Sequence, residues 1–163
     1  MITKEYIKSI LNYNHLTGKF TWLVCKGQAV RIGMSAGRVN NDGYLGIGID
    51  GEKYQAHRLA WLYMNGTLPK EQIDHINHDR LDNRIKNLRE ASASENQKNR
   101  IKNKNNKSGF CGVSKSSKGN AWVAQIGFNG KVIYLGSFDK IEDAILSRKS
   151  ANKKYSFHKN HGE

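Results

Sequence analysis

The 163-residue chain has one proline, Pro69, and two cysteines, Cys25 and Cys111, far apart in sequence. Two isolated cysteines support neither a disulfide framework nor a cysteine-based zinc site. No run of 18 apolar residues occurs, so no bilayer-spanning helix is expected. The segment Met1 to Tyr6 lacks the apolar core of a signal peptide. These absences predict a reducing, cytoplasmic setting. Acids are scarce too: 14 Asp and Glu stand against 27 Lys and Arg, a net charge of +13. Such an excess predicts a polyanionic partner, most simply nucleic acid. A membrane surface would instead require a basic helix with a broad apolar face, and none is legible.

What is present divides by pattern. Residues 3–13 are predicted to be a short amphipathic helix capped by Thr3, with Tyr6, Ile7, Ile10 and Leu11 on one side. Residues 13–22 read as a turn followed by a strand. The glycines from Gly33 to Gly51 match neither a phosphate loop nor a dinucleotide fingerprint, and read as turns. Within them, residues 44–54 form a predicted hairpin turning at Asp50-Gly51. A helix follows from His57 to Asn65, ended by Gly66. His57, at its start, is compatible with a packed histidine or with a ligand. His75 and His78 alone are too few for a structural zinc site.

Residues 73–99 pack acids, imidazoles and carboxamides together, just before the most basic run of the chain. Asp74-His75 reads as the end of a short strand, residues 76–86 as a polar loop, and Asn87 to Arg89 as a second strand. Ser92 and Glu95 have the spacing of a capping box, predicting a helix from about residue 93 to about residue 104. Strand, loop, strand and helix would bring Asp74, His75, Asn87 and Asn96 to one place. Carboxylate and carboxamide oxygens suit a magnesium-like ion that keeps several waters. A neutral histidine beside them can take a proton from water near pH 7. Together they suit phosphodiester hydrolysis. Arg80, Arg84 and Arg89 suit phosphate contacts or a solvated face. The run from Lys98 to Lys107 (Lys98, Arg100, Lys102, Lys104, Lys107) has five basic residues, no acid and one apolar side chain. It cannot build a core, and reads as a linker lying along a DNA backbone or in solvent.

The segment resembles the HNH nucleases, in particular their phage and intron-encoded homing endonucleases, through Asp74-His75, Asp82-Asn83-Arg84, Asn87-Leu88-Arg89 and Glu95-Asn96. His57-Arg58-Leu59 fits the family's His-Arg lead-in. The resemblance implies a ββα-metal fold, with His75 as general base, Asn87 orienting it, and Asp74 and Asn96 holding Mg2+ or Mn2+. It also implies double-stranded DNA as substrate and, for a phage-encoded enzyme, the host bacterial cytoplasm. No protein partner is expected, and a monomer is. The rival from another class is a non-catalytic DNA-binding regulator with a lapsed nuclease site.

Beyond residue 108 three strands are predicted, 109–114, 121–127 and 131–138, with Gly119-Asn120 and Asn129-Gly130 at the turns. Asp139 is the predicted cap of a helix carrying Ile141, Ala144, Ile145 and Arg148 at helical spacing. Residues 108–157 resemble the plant ethylene-response-factor type of DNA-binding domain through Gly112-Val113, Trp122 to Ile126, Tyr134 to Phe138 and Glu142 to Ala144. In that family the sheet lies in the major groove. The resemblance implies DNA contacts from Lys115, Lys118, Trp122, Gln125, Lys131 and Tyr134. Cys111, Ser114 and Gly127 stand where the family commonly has arginine. Trp122 could instead face the core. The overall expectation is an α+β chain: a nuclease domain over 1–100 with its metal-site hairpin-helix at 73–104, a basic linker at 101–107, and a sheet-plus-helix domain at 108–158.

Overall fold

The computed structural model describes residues 2–99, 102, 103, 105–117, 119–158, 161 and 162, with the side chains of Ser94 and Gln97 left aside. The chain is α+β and forms two compact units, residues 1–93 and 94–163.

In the first unit, helix α1 (Lys4–Ile10) starts where the Thr3 hydroxyl accepts from the Tyr6 amide. It is shorter than the predicted helix because the chain turns extended at Leu11. Strands β1 (Leu11–Asn14) and β2 (Lys19–Trp22) pair as a hairpin. Leu11 and Tyr13 are buried while Asn12 and Asn14 are exposed, a period of two that no amphipathic helix satisfies. Strands β3 (Arg38–Val39), β4 (Leu45–Ile49) and β5 (Glu52–Gln55) form a three-stranded sheet. The β4–β5 turn is at Asp50-Gly51, both with positive φ. Helix α2 (Ala56–Asn65) ends at Gly66 in the left-handed conformation. Ile7, Leu11, Phe20, Ile47, Ile49 and Leu59 make the centre of the core, which Ile73 and Leu88 join from the hairpin β6 (Gln72–His75) and β7 (Leu88–Ala91).

Asn87, expected on that second strand, closes a single 3₁₀ turn over Ile85–Asn87. Helix α3 (Ala93–Lys98) has six residues, and the described residues 102 and 103 beyond it are not helical, so the predicted extension to about 104 is not realised. A run of Lys and Asn offers no apolar face to pack, and short helices depend on such packing.

The second unit holds β8 (Val113–Lys115), β9 (Trp122–Phe128), β10 (Lys131–Phe138) and helix α4 (Ile141–Lys154). The sheet is antiparallel in the order β10-β9-β8. Its core gathers Val113, Ala124 and Ala144 with Phe110, Trp122, Leu135, Phe138, Ile141 and Ile145. The N-cap of α4 is Lys140 without a side-chain bond, so Asp139 is not the cap. At Gly112 (φ 77°) an added Cβ would lie 2.4 Å from the Gln125 carbonyl oxygen, which leaves room only for glycine.

Candidate active site

The β6–β7 hairpin and its connecting loop assemble the site. In an antiparallel pair, alternate residues point to opposite faces. Asp74 lies opposite Arg89, and His75 opposite Leu88. The pair Asp74 and Arg89 therefore shares one face, while His75 shares the other with Ile73 and Leu88, which enter the core.

His75 is 5% exposed. Its ring stands edge to face with that of His57, centroids 5.1 Å apart, and Tyr44 packs against both at 5.3 and 5.9 Å. Burial lowers the His75 pKa, against the opposing pull of Asn83 and of the Asp74, Asp79 and Asp82 carboxylates. Burial also takes His57 down to about 4, helped by its neighbours His75 and Arg58. Both imidazoles are therefore neutral at pH 7. His57 is a packed residue of this ring cluster, and its buried Nδ1 has no hydrogen-bond partner.

The loop is built on its own side chains. Asn77 Oδ1 accepts from the Asp79 amide and Asp79 Oδ1 from the Leu81 amide, at 3.0 and 2.9 Å. Arg84 pairs with Asp82, with Nε 2.6 Å from Oδ1. That pairing, first, holds the Asp82 carboxyl below its ordinary pKa. Asn87 braces the two ends: its Oδ1 accepts from the Asn77 amide at 3.0 Å and its Nδ2 donates to the Asp82 carbonyl at 2.8 Å. The carboxamide beside His75 is that of Asn83, with Oδ1 3.4 Å from Nε2, while Asn83 Nδ2 donates to the Leu81 carbonyl at 3.1 Å. Asn83 belonged to the matched motif but carried no assigned role, and it is fully buried. The expectation that Asn87 orients His75 is thus revised: its amide is taken by the loop backbone, and Asn83 holds the ring. If Nε2–H donates to Asn83, the lone pair of neutral His75 is on Nδ1.

The β1–β2 hairpin supports this loop from below. Tyr13 Oη donates to the Asn83 carbonyl at 2.7 Å. Burial pushes the Tyr13 phenol up to about 12, so it stays protonated and a donor. Gly18 (φ 73°) lets the turn approach: a Cβ there would lie 2.5 Å from the Arg84 backbone nitrogen. No sequence signal pointed to Tyr13, Gly18 or Tyr44 as neighbours of the site.

Asp74 is nearly buried and accepts two bonds from Arg89 on Oδ2, from Nε at 2.9 Å and Nη2 at 2.7 Å. A buried carboxylate already facing a cation has the donor chemistry of a hard divalent ion. Among the described residues no group of three or more His, Cys, Asp or Glu gathers as for a metal. Asn96 is on α3, in the second unit. Arg80, exposed, donates to the Asp42 carbonyl at 2.6 Å and stacks on Tyr44 at 4.8 Å.

In the second unit the register separates the expected DNA contacts. Gln125 lies opposite Tyr134, both exposed, on the sheet face away from the core. Trp122, by contrast, packs on the core side, because it alternates with Ala124 and Ile126; its expected DNA contact is withdrawn. Lys115 and Lys131 are exposed at strand ends. Lys107 is exposed, Lys102 donates to the Gly109 carbonyl at 3.2 Å, and Lys98 sits over the Phe128 ring at 5.1 Å. Arg100, Lys104 and Lys118 lie outside the described residues.

Residues 54–98 match the model of the HNH endonuclease family. Protein 3.8 of Escherichia phage T7 is 36% identical over 87 residues, 53% of this chain and 72% of that protein. Residues 54–98 belong to the HNH endonuclease family. A solved structure described as DNA binding and cleavage by the HNH homing endonuclease I-HmuI aligns at 22% identity and a TM-score of 0.38, over 51% of this chain and 47% of that one. HNH nucleases generally use a divalent metal. No helix among the described residues is long and apolar enough to cross a membrane.

Proposed function

We propose that this HNH protein is a metal-dependent DNA endonuclease, and a phage-borne homing endonuclease in its biology. The observation that carries the reading is a neutral, buried His75 next to Asp74 on one strand, inside a segment of the HNH family. Asp74 and Asn96 would hold Mg2+ or Mn2+; when bound, the ion supplies Lewis-acid charge at the scissile phosphate. His75 accepts a proton from the attacking water, and Asn83 keeps the ring in place. The water oxygen bonds to phosphorus as the 3′ oxygen leaves, so the product carries a 5′ phosphate.

Double-stranded DNA is the proposed partner of a monomer working in the host cytoplasm. Arg80, Arg84, Arg89 and the basic run after Lys98 supply phosphate contacts, which position without specifying. The second unit is proposed as an ethylene-response-factor type DNA-binding domain over 108–158. Gln125 and Tyr134 would face the groove, with Lys115 and Lys131 at its edges. The T7 relative supports the phage setting.

Plasmid cleavage with and without magnesium tests the reading, with His75→Ala as the arm that isolates the base. Loss of the base should lower the rate about a hundred- to ten-thousand-fold. DNA affinity should hold, because a neutral imidazole adds little to phosphate attraction. A rate within about threefold of wild type means His75 is not the base. DNA binding with no cutting under any divalent ion would leave a DNA-binding regulator.

A further inference from the structure

Arg89 and Asp74 are set against each other by the hairpin itself. They are directly opposed in the β6–β7 register, so the guanidinium needs no rearrangement to reach the carboxylate. Its Nε and Nη2 converge on a single oxygen, Oδ2, at 2.9 and 2.7 Å. The Asp74 side chain is 8% exposed and that of Arg89 31%, so the carboxylate is shielded while the cation can be reached from solvent. Two positive charges at one shielded oxygen repel strongly, because the protein screens them less than water does.

We propose that Arg89 is a built-in competitor for the metal: its guanidinium holds the Asp74 oxygen and leaves it when the divalent ion binds. This rests on Asp74 being a metal ligand. While no ion is bound, the guanidinium keeps the shielded carboxylate bonded, where an unpartnered buried charge would destabilise the hairpin. The displaced guanidinium stays on the exposed side of the strand. Its planar donor fork suits a phosphate oxygen, so a DNA phosphate is its natural second partner. Metal and DNA then reinforce each other: a phosphate that draws Arg89 off exposes Asp74 to the ion.

The test is calorimetric titration of Mn2+ into the full chain without DNA, for wild type, Arg89→Met, Arg89→Gln and Asp74→Asn. Removing the competing charge should tighten Mn2+ binding about tenfold, equivalent to about 1.4 kcal/mol of relieved competition. Mn2+ should also raise the melting temperature of both Arg89 variants more than that of wild type. Arg89→Gln can still donate to the carboxylate, so it carries the test if Arg89→Met does not fold. Unchanged or weaker Mn2+ binding in the folded Arg89 variants, with binding lost in Asp74→Asn, overturns the competitor and leaves Asp74 as ligand. Wild-type binding in Asp74→Asn would instead remove Asp74 from the metal site, and the competitor with it.

Discussion

Asn83 divides its amide between chemistry and scaffold: Oδ1 faces His75 and Nδ2 holds the Leu81 carbonyl. Asn83→Ala should lower stability by about 1–3 kcal/mol, the cost of leaving buried partners unsatisfied. It should also slow cleavage at temperatures where the variant remains folded. Asn87→Ala breaks two loop bonds without touching the ring. Urea unfolding should show a comparable stability loss, and the rate should fall less than in Asn83→Ala. If Asn87 orients the base, the order of the two rates reverses. His57 gives a second expectation. Its pKa is about 4 in the fold and 6.5 outside it, so between those values the unfolded chain binds more protons. The stability from its neutral burial is complete above pH 6.5 and is lost as pH falls towards 4, by about 1.4 kcal/mol per pH unit. Unfolding measured across that window should show a flatter pH dependence in His57→Gln.

Among the elements, the β1–β2 hairpin has an effect on the site out of proportion to its four-residue strands. Its turn is shaped by Asn14 Oδ1, which accepts from the Leu16 and Thr17 amides at 3.0 and 3.1 Å. Gly18→Ala would add a left-handed alanine, costing about 1–2 kcal/mol, and a methyl against the Arg84 backbone. The expected outcome is a lower melting temperature together with slower cleavage, because the residue pushed aside adjoins Asn83. A variant that loses stability but cleaves at the wild-type rate when folded would show that the hairpin supports the loop without setting the position of His75.

Across the whole molecule, positive charge is weighted towards the C-terminal part. Residues 101–163 carry 12 Lys and Arg against four acids, and residues 1–100 carry 15 against 10. Among the described residues the core cluster of the first unit takes none beyond Leu88, so a chain ending at Asn99 should keep that unit folded. It should bind DNA more weakly, with less site preference. The slope of log affinity against log salt should be shallower by about 0.9 for each phosphate contact removed. Equal slopes and equal preference in the two chains would assign residues 101–163 a role other than holding DNA.

Elements whose signal is local could be read from the sequence alone. The Asp50-Gly51 and Asn129-Gly130 turns, the Gly66 stop of α2, the second and third C-terminal strands and the Asp74-His75 strand end depend on backbone preference and alternation within a few residues, whereas the strand expected at 109–114 is found only at Val113–Lys115. The charge balance and the HNH motif likewise come from residue identity and spacing. The tertiary structure decided what depends on contacts between distant segments. It ended α1 at Ile10, because Leu11 and Tyr13 are buried on one face of a strand. It ended α3 at Lys98 and turned Trp122 inward. It gave Asn83 rather than Asn87 to His75, and Arg89 to Asp74. The last pairing needs a strand register, and the Asn83 contact needs Tyr13 and Gly18 brought from some 70 residues away. Such long-range approach leaves no trace in local periodicity, because a buried carboxamide and a solvated one look alike in a sequence.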